Sequence, residues 1–68
     1  MMILVQCCNS PSGIIYENRI FCQLGDAVGF ATKHIVAFPK SHVNIYELYV
    51  GSPVDFYNMG PPLHTIRP

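Results

Sequence analysis

The sequence predicts a small, strand-rich α+β fold: an antiparallel sheet, one short helix and an extended proline-rich tail. Three observations carry that prediction. Short runs of β-branched and aromatic residues recur between Gly, Pro and Asn punctuation. One segment, after Gly25-Asp26, carries apolar residues at helical spacing instead. Four of the six prolines (Pro53, Pro61, Pro62 and Pro68) fall beyond residue 50. Because 68 residues leave room for one domain at most, we expect a single unit over 1–50 followed by a Pro/Gly-rich extended tail over 51–68.

Residues 2–7 form a β-favouring run with Ile3 and Val5 on one face, expected to pair as an edge strand. Asn9-Ser10-Pro11-Ser12-Gly13 is a loop by composition, since proline fixes one dihedral and glycine supplies positive φ. Two apolar runs then flank Glu17-Asn18, which suggests a hairpin over 13–24 with Asn18 in the left-handed conformation. Asp26 is placed to cap a helix over 26–33 with Ala27, Phe30 and Ala31 on one side. Gly29 weakens that helix by up to about 1 kcal/mol relative to alanine. His34-Ile35-Val36-Ala37-Phe38 looks like a strand closed by Pro39-Lys40. Residues 43–50 fit either period, and their β-branched and aromatic content (Val43, Ile45, Tyr46, Tyr49, Val50) selects strand. In the tail, proline removes backbone donors and blocks regular structure. Val54, Phe56, Tyr57, Met59 and Leu63 would make it an apolar arm lying across a neighbouring surface.

Charge is scarce and balanced. Charged residues make up 12% of the chain with a net charge of zero, against about 25% in ordinary domains. No basic patch exists to follow a nucleic-acid backbone or an anionic membrane. Aromatic rings are plentiful, yet base stacking needs cations interleaved with them, and only Arg19, Lys33, Lys40 and Arg67 are available. Pro61-Pro62 lacks the Pro-x-x-Pro spacing of a groove ligand. No apolar run reaches the 18 or so residues of a membrane-spanning helix, and the start of the chain lacks the basic residues of a secretory signal.

Three cysteines, two of them adjacent, do not make a disulfide framework. A bridge from Cys7 or Cys8 to Cys22 would close a loop of roughly 15 residues. Reduced cysteines used as small apolar residues in a cytoplasmic setting are the simpler expectation. Zinc is the sharpest chemical alternative, with Cys22, His34 and His42 joined by Cys7 or Cys8. Spacing opposes it, because finger-type sites use ligand pairs roughly two to five residues apart and none occurs here. Gly25-Asp26-Ala27-Val28-Gly29 lacks the Lys-Ser/Thr ending of a phosphate loop. No elbow marks a nucleophile. We therefore assign no catalytic, cofactor or metal residue and expect no enzyme activity.

So short a chain buries little surface, and natural proteins of this size add a metal, disulfides or oligomerisation. The expected function is a small non-enzymatic interaction or accessory protein, stable with a protein partner or as a homo-oligomer. The alternatives are a truncated fragment or short reading frame with no selected fold, and a small zinc module.

Overall fold

A computed structural model of the protein describes residues 2–49, 51, 55 and 59–68. The strand expected at an edge lies inside the sheet. β1 (Met2–Asn9) runs between β2 (Ile15–Phe21) and β3 (Ser41–Leu48), antiparallel to both. The short β4 (His64–Ile66) pairs with the far side of β3, giving the order β2-β1-β3-β4. The correction has a direct cause: every residue of β1 from Ile3 to Cys8 is buried. A run apolar at every position but Gln6 suits a strand covered on both faces, where an edge strand would leave one side wet.

The hairpin expected around Glu17-Asn18 does not form there. Both residues sit in mid-strand, Glu17 opposite Cys7 and Asn18 opposite Gln6. The chain reverses earlier, in the loop read from composition. Asn9 N–H donates to the Ile14 carbonyl at 2.9 Å, Gly13 N–H donates to the Asn9 carbonyl at 2.7 Å, and Gly13 has φ of 75°. Glycine adopts that conformation without steric cost, whereas Glu17 would have been strained in it. Past the turn the register slips between Cys7 and Cys8, which face Glu17 and Ile15, so Tyr16 is the extra residue of a bulge.

One helix, α1 (Leu24–Ala37), spans both the expected helix over 26–33 and the expected strand over 34–38. Ala27, Ala31 and Ile35 recur every fourth residue and form its buried stripe. They pack on Ile3, Val5 and Cys7 of β1 and Val43 and Ile45 of β3, with Phe21, Leu24, Val28, Phe30 and Ile66 around them. Two alanines on the stripe let the helix approach the sheet closely. Ile35 completes the stripe only if the helix continues, and that burial outweighs a helix-propensity penalty of a few tenths of a kcal/mol. The N-cap is Gln23, not Asp26; Asp26 sits in the first turn, where its carboxylate faces the positive end of the helix dipole. Phe38 N–H closes the other end on the His34 carbonyl at 2.8 Å.

The expected strand over 43–50 is β3, shifted two residues toward the N-terminus. In the tail, Leu63 N–H donates to the Ile45 carbonyl at 2.7 Å and leads into β4, so this region adds a strand to the sheet. The proposed anchors Val54, Phe56 and Tyr57, like Val50, lie outside the described residues. On the face away from α1, Leu4, Gln6, Cys8 and Tyr46 are buried. Among the described residues no helix is long and apolar enough to cross a membrane.

Candidate functional site

The helix-facing side of the sheet brings together three residues that no sequence spacing connects. Cys7 is buried in β1, Glu17 is its directly paired neighbour in β2, and His34 reaches them from α1. Their sulfur, carboxylate oxygen and ring nitrogen all lie within 4.8 Å of one another. Cys7 Sγ donates to Glu17 Oε2 at 3.9 Å. The other carboxylate oxygen, Oε1, accepts from Arg19 Nη2 at 3.4 Å, and that guanidinium lies 4.7 Å from the centre of the Phe30 ring.

His34 is held by aromatic neighbours. Its ring is 5.6 Å from Phe30, 4.7 Å from Phe38 and 5.7 Å from Tyr16. The Tyr16 hydroxyl hydrogen-bonds His34 Nε2. The bulge in β2 accounts for this contact, because an extra residue re-aims its side chain relative to the strand's regular alternation.

Electrostatics decide what the thiol can do. Burial first, and the Glu17 carboxylate second, push Cys7 up to about 11. Cys7 is thus a neutral thiol at physiological pH, and a nucleophilic or redox-sensing cysteine needs the opposite surroundings. Burial also raises Cys8 and Tyr16. As donors, the three residues provide one sulfur, one oxygen and one nitrogen, a mixed set suited to a borderline-soft divalent cation.

The zinc set considered from sequence is not assembled. Cys22 is exposed between β2 and α1. His42 pairs with Cys8 in the sheet, on the face away from α1, so the sheet itself separates both from His34. His42 Nδ1 is 2.7 Å from Ser10 Oγ, and burial, followed by the Arg67 charge, lowers its pKa. Of the residues in that set only Cys7 and His34 meet. Glu17 was missed because nothing in the sequence shows that β1 and β2 pair in a register that sets it against Cys7.

Two further features border the cluster. A shallow, largely apolar hollow of about 390 Å³ lies between Tyr16, Phe38, Pro39, Lys40 and Ser41. Beside it runs the outer edge of β2, which among the described residues pairs with β1 alone. Along that edge Ile14 is 64%, Ile20 49% and Tyr16 44% exposed.

Together these observations define a small α+β protein: among the described residues, a four-stranded antiparallel sheet with one helix on one face. Compared with protein-family models, curated proteins and solved structures, the chain matches none.

Proposed function

We propose that this is a non-enzymatic interaction protein that self-associates by pairing the outer edge of β2 with the same edge of a second copy. The observation that carries this reading is the self-complementary order of β2 around Asn18. Antiparallel pairing centred there sets Glu17 of each copy opposite Arg19 of the other. Opposite charges facing across strands stabilise a sheet.

An exposed edge carrying several large apolar side chains and few charges is a template for another strand. β2 has a single ion pair, Arg19 with Glu17, and no lysine or proline to protect it. The bulge at Tyr16 limits the flat stretch to a few residues on either side of Asn18. Two such edges bury less than the roughly 1,200 Å² of a stable complex. Self-association is therefore weak, reversible and dependent on concentration.

Sedimentation velocity over a broad concentration range tests the reading. The wild type passes from monomer to dimer as concentration rises. Ile20→Lys, which puts an ammonium on the edge, keeps it monomeric. Arg19→Glu sets carboxylates against each other and weakens the dimer, and the swap Glu17→Arg with Arg19→Glu restores it. A wild type that stays monomeric throughout and melts sharply in dilute solution defeats the proposal.

A further inference from the structure

We propose that Cys7, Glu17 and His34 form a binding site for a divalent transition-metal ion of the zinc class. The site is complete within one copy and needs no contact with a second copy.

Its geometry comes from the fold. Cys7 and Glu17 are Cα partners across the β1–β2 ladder, so their side chains rise on the same side of the sheet. His34 projects from α1, whose Ala27–Ala31–Ile35 stripe fixes the helix on that side. Zinc bonds of about 2.0–2.3 Å in a tetrahedron hold the ligand atoms about 3.2–3.8 Å apart. The three donors already lie within 4.8 Å of one another. The gap to the tetrahedral spacing is on the order of an ångström.

Donor chemistry selects the ion. Magnesium and calcium take shells of oxygen, and a buried sulfur with only one carboxylate does not suit them. A thiol, an imidazole and a carboxylate are the three ligand types zinc takes. Cys7 donates its thiol proton toward Glu17; a zinc-class cation binding between them would form its bond to the thiolate and release that proton to solvent, so that both anions then face the ion. The Tyr16 hydroxyl already engages His34 Nε2, so an ion takes either Nδ1, with the tyrosine as the outer hydrogen-bond partner of the ring, or Nε2 after displacing the tyrosine; water supplies the fourth donor.

The Arg19 contact does not block the ion. Arg19 touches Glu17 through one exposed 3.4 Å contact and keeps its place over Phe30 if the carboxylate turns away. Phe30 and Phe38 pack beside His34 and restrict its imidazole. An ion here would tie the central strand, its neighbour and the helix at one point. That is the kind of brace a chain this short needs.

The test uses the full chain, reduced, stripped with chelator and dialysed against zinc chloride, at a concentration where it is monomeric. It should retain one zinc per chain, melt at higher temperature with zinc than without, and lose that gain on addition of EDTA. Cobalt substitution should give a thiolate-to-metal charge-transfer band, absent in Cys7→Ser. Because Cys7 is a core residue, the decisive variants are Glu17→Gln and His34→Gln, with folding checked by circular dichroism. Each should weaken zinc at least about tenfold, while Cys22→Ser and His42→Gln bind as the wild type does. Failure of the wild type to retain zinc, or retention unchanged in both Glu17→Gln and His34→Gln, overturns the proposal.

Discussion

Replacing Ile45 by alanine should cost this protein a large part of its stability. Ile45 is fully buried in β3, paired with Val5 of β1 on one side and His64 of β4 on the other, and packed in the cluster beneath α1. Removing three buried carbons forfeits about 0.8 kcal/mol each in transfer free energy. The unfilled cavity brings the cost of such changes to about 2–5 kcal/mol. A domain of this length holds about 3–10 kcal/mol in total, at roughly 0.05–0.15 kcal/mol per residue. The comparison is Val36→Ala. Val36 neighbours the buried Ile35 on α1 but is 79% exposed, so its loss removes little burial and alanine favours helix. Urea unfolding followed by circular dichroism separates the two. With a slope of about 1 kcal/mol per molar, Ile45→Ala lowers the midpoint by about 2 M or more, and Val36→Ala leaves it unchanged or slightly higher. A shift below about 0.5 M for Ile45→Ala, or equal losses in both variants, refutes the assigned core.

Two glycines should respond in opposite directions. Gly29 lies in the interior of α1 with open space around an added Cβ, so Gly29→Ala adds about 1 kcal/mol of stability and raises the melting temperature. Gly13 also has open space but a φ of 75°, so Gly13→Ala lowers stability by about 1 kcal/mol through backbone strain alone. For the thiols, Cys22 is exposed while Cys7 and Cys8 are buried. In metal-free protein a disulfide reagent therefore modifies one thiol at once and the other two only at the rate of opening; immediate reaction of all three contradicts the burial. With Cys7 raised to about 11 from an ordinary value near 9, its contribution to stability is complete below pH 9. It is lost between pH 9 and pH 11, where the unfolded chain has released the proton and the folded chain still holds it. Cys7→Ser should flatten that alkaline limb of a stability-versus-pH curve, and an unchanged limb removes Cys7 as its cause.

Pairing local pattern with local chemistry read some parts of this protein and misread others. The α+β class, the loop at Asn9 to Gly13 and the strand now seen as β3 were legible, because turn chemistry and β-branched content act within a few residues. Ile35 and Val36 misled by the same logic. Side by side they favour a strand, but Ile35 lies four residues beyond Ala31 and completes a stripe that only the packed helix uses. Glu17-Asn18 misled as well, since a two-residue link between apolar runs marks a hairpin only when the chain lacks a better place to reverse. The Cys7, Glu17 and His34 cluster was not legible at all. Its members are brought together by strand register, a bulge and helix docking, none of which leaves a spacing in the chain.

By itself the sequence determined the material: a short, nearly uncharged chain with enough β-branched and aromatic residues for a sheet, one segment able to be a helix, and glycine and proline at the breaks. Only the tertiary structure decided that β1 lies inside the sheet, that the helix runs on to Ala37, and that a thiol, a carboxylate and an imidazole converge beneath it. The physical reason is burial. Propensity distinguishes conformations by tenths of a kcal/mol per residue, while a buried side chain is worth about 1.5–3 kcal/mol, and which side chains are buried depends on contacts between segments far apart along the chain.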